Sequence, residues 1–212
     1  FFAPTVEVLV FPAWDCLPYD RVSPHRDIVA RRLDVLTRLL QPAGQKAQVV
    51  VTTVNALLQR VPAPAALAGR VMQLKAGDTV PAERLNAFFA ENGYYRIETV
   101  GEPGEFAVRG GILDVFPPDA EHPVRADFFG DELEQLRFFS VADQRSLDGD
   151  LDRVDLLPSR ELLLTDAVRQ RAREMEREFP SLEGMLAKIA EGIPVEGMES
   201  LAPALVGDHV PV

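Results

Sequence analysis

The sequence predicts an α/β protein with a parallel sheet, into which an α+β domain with an antiparallel sheet is inserted. Strands and helices alternate over residues 1–61, which favours parallel strands joined by a crossover helix. Short strands separated by tight turns follow over residues 62–142. A mixed pattern returns over residues 143–212, so the middle segment interrupts one α/β domain.

The first segment contains two apolar strands and two helices. They are, in order, a strand Val6–Phe11, a helix opened by Ser23 and Pro24 and ended by Pro42 and Gly44, a strand Ala47–Thr52 after Lys46, and a helix over 54–60. The first helix repeats apolar residues at helical spacing, and the second strand is rich in Val.

The middle segment begins at a Pro- and Ala-rich boundary over 62–65. We predict a helix over 81–91 and strands over 94–100, 104–109, 111–116, 124–129 and 133–141. Gly130 and Asp131 form a two-residue link between the last two strands, which is typical of a β-hairpin. The last segment then has a short strand over 154–157 and two amphipathic helices over 166–179 and 182–191, the second ended by Gly192.

The composition narrows the class of function. The net charge is −11, whereas nucleic-acid binders gather Lys and Arg to neutralise phosphates, so the chain as a whole would repel DNA. No apolar run is long enough to span a membrane, and no signal segment opens the chain. The single cysteine, Cys16, suits a cytoplasmic protein. A chain that starts at Phe1 is expected to be a fragment of a longer protein.

The sequence offers little for catalysis or metal binding. It has no phosphate loop, so this segment is not expected to be an enzyme or to hold a cofactor. The three histidines are far apart, and Cys16 beside His25 is better explained as a packed thiol than as a nucleophile. Asp127 and Asp131 flank a hairpin and are expected to solubilise it. Trp14 and Tyr19 are expected to anchor a loop rather than to stack on a base.

Strand parity identifies a candidate binding surface in the middle segment. Along 124–129, alternation places Val124, Ala126 and Phe128 inward and Arg125, Asp127 and Phe129 outward. Along 104–109, the inward residues are Phe106 and Val108, which leaves Glu105, Ala107 and Arg109 outside. Exposed Phe and Arg are enriched at binding hot spots. Isolated exposed aromatic residues are also ordinary, and the helix over 81–91 could cover Phe129.

Several motifs of the chain resemble the bacterial transcription-repair coupling factor family. They are FPAWDCLPYD at 11–20 with Ser23, Pro24, His25, Asp27 and Ile28 after it, VNALLQRV at 54–61, GEFAVRGGILDVFP at 104–117, and RADFF at 125–129 followed by Asp131 and Glu132. The resemblance implies an N-terminal module similar to the damage-recognition protein UvrB. Its flanking parts would form a degenerate helicase-like domain, and its inserted part would be the domain that binds UvrA.

The resemblance implies a non-catalytic adaptor that recruits UvrA to stalled RNA polymerase in transcription-coupled nucleotide excision repair. RNA polymerase and DNA would contact other modules of the longer protein, which would also hold ATP and Mg²⁺ for translocation. The family's UvrA-contacting positions fall on Arg109, Arg125 and Phe129, with Arg96 as a further contact. Two alternatives stay open: a DNA- or nucleotide-processing part of a UvrB-like enzyme, and a structural spacer.

Overall fold

The computed structural model describes residues 6–17, 20–40 and 47–206, together with the backbone of 210–211. The chain divides into two compact units. Unit 1 consists of Phe1–Ala68 and Glu161–Val212, and unit 2 of Gly69–Arg160. The inserted segment therefore starts and ends later than the expected 62–142, because residues 62–68 remain with unit 1 and residues 143–160 belong to unit 2.

Unit 1 begins with two parallel strands that are connected in sequence by a long helix. Its first elements are β1 (Val6–Phe11), α1 (Arg26–Leu40), β2 (Ala47–Thr52), α2 (Val54–Leu58), β3 (Arg60–Val61) and α3 (Pro64–Leu67). β1 and β2 pair in parallel, which confirms the predicted crossover.

Several predicted boundaries in this part of unit 1 shift. α1 starts at Arg26 rather than at Ser23 and Pro24, and α2 ends at Leu58 because Gln59 adopts an extended backbone. Instead of a linker, residues 64–67 form a helical turn. The predicted helix stop at Pro42 and Gly44 lies outside the described residues, as do Lys46 and Tyr19.

Unit 2 is built on a six-stranded sheet. Its elements are β4 (Met72–Lys75), α4 (Ala82–Glu91), β5 (Tyr95–Arg96), β6 (Glu105–Arg109), β7 (Ile112–Val115), β8 (Val124–Phe129), β9 (Glu132–Phe139), β10 (Ser146–Asp150) and β11 (Arg153–Leu156). The strand order is β10-β9-β8-β7-β6-β5, and β4 pairs separately with β11.

The sheet of unit 2 is an antiparallel meander from β6 to β10. The predicted hairpin at Gly130 and Asp131 is confirmed by the antiparallel pairing of β8 with β9. Two predictions were wrong. β5 is much shorter than 94–100 and runs parallel to β6. The strand expected at 154–157 is β11, which pairs with β4 inside unit 2 rather than with unit 1.

One face of the sheet, which we call the packed face, carries the main core of unit 2. α4 contributes Leu85, Phe88 and Phe89 to this core, and the Phe89 ring stacks on Phe106 at 4.2 Å between centroids. Val124 and Ala126 of β8 are fully buried in the same cluster, with Phe128 packed against it. The predicted inward set of β8 is therefore confirmed.

Unit 1 is completed by a helical segment after residue 161. It contains α5 (Asp166–Glu178), a 3-10 turn (Pro180–Leu182), α6 (Glu183–Glu191), a second 3-10 turn (Met198–Leu201), α7 (Ala202–Leu205) and β12 (Val210–Pro211). Thr165 caps α5. Gly192 ends α6, as predicted, and adopts the left-handed conformation. None of the helices among the described residues combines the length and the apolar character needed to cross a membrane.

A buried ion pair links the two sequence segments of unit 1. The Arg32 side chain of α1 has no exposed surface, and its Nε and Nη2 donate to Glu161 at 2.6 and 3.2 Å. Trp14 Nε1 donates to the same carboxylate at 3.0 Å. The Arg32 guanidinium also lies 4.4 Å from the Phe11 ring centroid. Glu161 thus joins the segment that follows the insertion to α1 and to the loop that carries Trp14.

We expect Glu161→Ala to lower the free energy of unfolding of unit 1 by about 3–5 kcal/mol, because the substitution leaves the Arg32 charge buried without its carboxylate. Urea unfolding followed by tryptophan fluorescence measures this loss directly, since Trp14 is the one tryptophan of the chain and lies in unit 1. The control is Asp34→Ala, which removes one of the two carboxylate partners of the exposed Arg38 and should cost about 0–1 kcal/mol. Equal losses for both variants would contradict the proposed role of the pair.

Candidate functional site

The face of the unit 2 sheet opposite the packed face carries polar side chains across several strands. We call it the charged face and define it by Arg109, Asp114, Arg125 and Phe129; Asp127 lies on the same side of β8 but is bound to Arg137. The register brings these residues together: Asp114 of β7 lies directly opposite Arg125 of β8, and Arg109 of β6 pairs with Ile112, which in turn pairs with Asp127. Residues on neighbouring strands and the same face are close enough for their side chains to interact.

Asp114 is the centre of the charged face. It has no exposed surface, and both of its carboxylate oxygens accept hydrogen bonds from arginine. Arg125 Nε donates to Oδ1 at 2.7 Å and Arg125 Nη2 donates to Oδ2 at 2.9 Å, which is a bidentate pair. Arg109 Nη2 donates a further hydrogen bond to Oδ2. A carboxylate buried this deeply requires such compensation, because its desolvation would otherwise cost several kcal/mol.

The head group of Arg125 is held on three sides. Besides Asp114, it contacts the carbonyl of Gln144 through Nη1 at 3.2 Å, and its Cζ lies 4.8 Å from the Phe139 ring centroid. The hydrogen bonds to Asp114 raise the pKa of Arg125 above its ordinary value, against the opposing effect of burial. Only 15% of the Arg125 side chain is exposed, so this guanidinium is mainly an internal group.

Gln144 supplies its carbonyl from an unusual backbone conformation. Its φ is +60°, in the left-handed region that few residues other than glycine adopt. The side-chain amide holds the loop by donating to the carbonyls of Val100 at 3.1 Å and Val141 at 3.0 Å. The loop between β9 and β10 is therefore fastened down beside Arg125.

Arg109 is the more accessible of the two arginines. Half of its side chain is exposed (49%), although one N–H group is bound to Asp114. Two guanidinium charges and one carboxylate leave the Arg109–Asp114–Arg125 cluster with one surplus positive charge. This local surplus contrasts with the net charge of −11 of the whole chain. Asp127 on the same face is neutralised by its ion pair with Arg137, so it does not cancel this surplus. The Arg109–Asp114–Arg125 cluster is therefore electrostatically suited to an acidic surface.

Phe129 lies at the end of β8 and is the most exposed aromatic residue among those described, at 76%. β6 and β8 both run antiparallel to β7, so they end on the same side of the sheet. Arg109 and Phe129, the last residues of these two strands, therefore lie at the same end of the sheet. Each is followed by a two-residue turn, and the turn glycines Gly110 and Gly130 have φ values near +60°. An exposed aromatic ring and an exposed guanidinium therefore lie at the same end of the unit 2 sheet.

The packing between the two turns leaves no room for a side chain at Gly111. Its carbonyl accepts a hydrogen bond from the Phe128 backbone N–H at 2.7 Å. A Cβ atom added to Gly111 would collide with the Phe128 carbonyl. The glycine therefore permits the close approach of the β6–β7 turn to the strand that carries Phe129.

The structure corrects the predicted exposure of two residues on β6. Ala107, expected outside, is 1% exposed, and Val108, expected in the core, is 39% exposed. Ala107 belongs to a second small core with Val100, Phe116 and Phe139, which covers the charged face at the end away from Phe129. Strand parity is preserved, but both faces of the sheet are partly covered.

The predicted site residues divide into two groups. Arg109, Arg125 and Phe129 share the charged face, whereas Arg96 does not. Arg96 is exposed on the edge strand β5, and its parallel pairing with Phe106 places it on the packed-face side. The expectation that both arginines are open to a partner was wrong for Arg125, which is held by Asp114. Sequence reasoning also missed Asp114, although a lone acidic residue in the apolar strand predicted over 111–116 was a usable signal.

The other residues considered from the sequence have structural partners. Asp127 accepts a hydrogen bond from Arg137 at 2.7 Å, and the Asp131 carbonyl accepts one from Val80. His25 Nδ1 lies 3.8 Å from the Asp27 carboxylate. Burial and the nearby carboxylates of Asp15 and Glu199 raise the pKa of the Cys16 thiol. No group of three or more metal-binding side chains occurs within the described ranges.

Comparison with known proteins finds relatives both of the inserted segment and of the whole chain. Residues 72–162 match the UvrB interaction domain family. The chain is 44% identical over 214 residues to the transcription-repair-coupling factor of Mycobacterium bovis, 34% identical over 202 residues to that of Escherichia coli, and 31% identical over 182 residues to that of Bacillus subtilis. These matches cover 95%, 93% and 86% of the chain.

The chain belongs to the transcription-repair-coupling factor family. It spans 17% of the length of the Mycobacterium bovis and Escherichia coli relatives. The match to the UvrB interaction domain begins at β4 and ends just after unit 2, so unit 2 is the part of the chain that corresponds to this domain.

We expect the Cys16 thiol to react slowly with iodoacetamide near neutral pH, because a raised pKa leaves less of the nucleophilic thiolate. Alkylation followed by mass spectrometry should give a lower rate for the folded protein than for the same protein unfolded in urea. The rate should rise at a higher pH in the folded state. A folded-state rate above the unfolded rate would instead indicate an activated nucleophile.

Proposed function

We propose that this chain is a non-catalytic adaptor that docks UvrA through the charged face of unit 2. The observation that carries the proposal is that Phe129 and Arg109 are both exposed at the same end of the sheet, beside the surplus positive charge of the Arg109–Asp114–Arg125 cluster. Membership of the transcription-repair-coupling factor family and the match to the UvrB interaction domain support UvrA as the partner. Docking here would link UvrA, and with it nucleotide excision repair, to stalled RNA polymerase.

The proposed roles of the site residues differ. Phe129 supplies the apolar anchor, because an exposed ring can fill a pocket on a partner and lose its contact with water. Arg109 supplies an accessible guanidinium for a carboxylate of UvrA. Arg125 supports the surface from within, and Arg96 would contact UvrA only if the interface extended around the β5 edge.

The remaining modules of the longer protein supply the other proposed activities. RNA polymerase, DNA, ATP and Mg²⁺ would bind outside this segment, in the part of the relatives that it does not span. Unit 1 would be a degenerate helicase-like domain, a proposal that the parallel β1–β2 pair with its α1 crossover supports. Such a protein would work in the cytoplasm, where bacterial DNA and RNA polymerase are found.

We expect Phe129→Ala to weaken UvrA binding by about 2 kcal/mol, which is roughly thirtyfold in Kd. The melting temperature should not change, because the exposed ring leaves no cavity when it is removed. Isothermal titration calorimetry with purified UvrA measures the affinity, and circular dichroism measures the stability. The matched control is Phe179→Ala, which removes another exposed phenylalanine, from unit 1.

Wild-type affinity in the folded Phe129→Ala variant would sink the proposed docking site. The same titration with duplex DNA tests the alternative of a DNA-processing part. DNA affinity that falls steeply with salt would favour that alternative, since counterion release dominates nucleic-acid binding. Arg125→Ala is unsuitable as a first test, because it would leave Asp114 with less compensation and alter the fold as well as the surface.

A further inference from the structure

We propose that Asp114 is the positioning residue of the charged face. In this role it fixes the guanidinium groups of Arg109 and Arg125 before a partner arrives. The inference deepens the proposed function and rests on UvrA docking at the charged face. It assigns a role to a buried carboxylate that cannot itself reach a partner, because Asp114 has no exposed surface.

The positions on the sheet explain why one carboxylate can orient two arginines. Arg125 is the direct cross-strand neighbour of Asp114 in the β7–β8 pair, so it meets the carboxylate side-on with two N–H groups. On the other side, Ala107 is the direct neighbour of Asp114 in the β6–β7 pair. Arg109, two residues further along β6, reaches past the small side chain of Ala107 to the carboxylate.

Fixing the guanidinium groups matters because arginine side chains are long and flexible. A free arginine loses rotamer entropy when it binds a partner, whereas one already held in place has lost part of it before binding. Arg109 combines both properties, since it is bound to Asp114 at one N–H and still has half of its side chain exposed. Arg125 completes the arrangement by holding Asp114 through its bidentate pair.

A positioning role for Asp114 predicts a change in UvrA affinity that is opposite to the change expected from net charge alone. Replacing Asp114 with Asn raises the charge of the three-residue cluster from +1 to +2. If charge alone decided the affinity, UvrA binding would become tighter for an acidic partner surface. If Asp114 acts by positioning, binding becomes weaker despite the added positive charge. The sign of the change therefore separates the two accounts.

A matched control is available on the same face. Asp127→Asn makes the same change in charge, and Asp127 is held by Arg137 rather than by Arg109 or Arg125. We expect UvrA affinity at least tenfold weaker for Asp114→Asn, and unchanged or tighter for Asp127→Asn, by isothermal titration calorimetry. Similar changes in affinity for the two variants would overturn the positioning role.

Arg109→Lys covers the case in which Asp114→Asn fails to fold. Position 109 is half exposed and the lysine keeps the positive charge, but it lacks the planar fork that Asp114 holds. We expect this variant to fold and to bind UvrA about tenfold more weakly. Wild-type affinity for Arg109→Lys would overturn the requirement for a held guanidinium.

A measurement without UvrA separates this inference from the proposed function. In ¹⁵N NMR spectra of the free protein, the Arg125 Nε–H group should exchange slowly with water, because it donates to Asp114 at 2.7 Å. Rapid exchange in the wild-type protein would overturn the positioning role, whatever UvrA does. Slow exchange without any UvrA binding would leave Asp114 as the holder of the two arginines and overturn the docking proposal instead.

Discussion

A carboxylate without exposed surface needs opposite charge at hydrogen-bond distance, and in unit 2 this constraint organises a whole face of the sheet. Asp114 receives three N–H groups from Arg109 and Arg125, so β6, β7 and β8 are joined by side chains as well as by backbone hydrogen bonds. Removing one partner of such a cluster leaves a buried charge, which is far more costly than losing an exposed ion pair. Arg125, which is mostly buried, therefore serves mainly to hold this face together. Arg109 is half exposed, so it can also contact a partner.

A similar arrangement holds unit 1 together. Arg32 and Glu161 form a second buried bidentate pair, and it joins residues that are 129 positions apart in sequence and lie on either side of the inserted segment. In each unit, a buried carboxylate joins neighbouring elements through hydrogen bonds to arginine side chains. The difference lies in what surrounds the pair. Arg32 is enclosed, whereas Arg109 reaches the surface beside the exposed ring of Phe129.

Much of the fold was predictable because its signals are local. The parallel β1–β2 pair follows from two Val-rich strands around a helix, and the β8–β9 hairpin follows from Gly130 and Asp131. Period-two alternation placed Phe129 outside, and the ring is exposed. The pairing of β4 with β11 was not predictable, because its partners lie far apart in sequence and have no turn between them. Ala107 was misplaced since alternation gives the face of a residue but not what covers that face. The charge partner of Arg125 depends on cross-strand register, which the sequence alone does not fix.

We propose that UvrA binds unit 2 at the end of the sheet where β6 and β8 finish, beside Arg109 and Phe129. Hydrogen–deuterium exchange of the chain, with and without purified UvrA, tests it most directly. We expect UvrA to slow amide exchange in the two turns at 110–111 and 130–131 and in the adjoining ends of β6 and β8. Slowed exchange confined to unit 1, or unchanged exchange at both turns under saturating UvrA, would contradict the account.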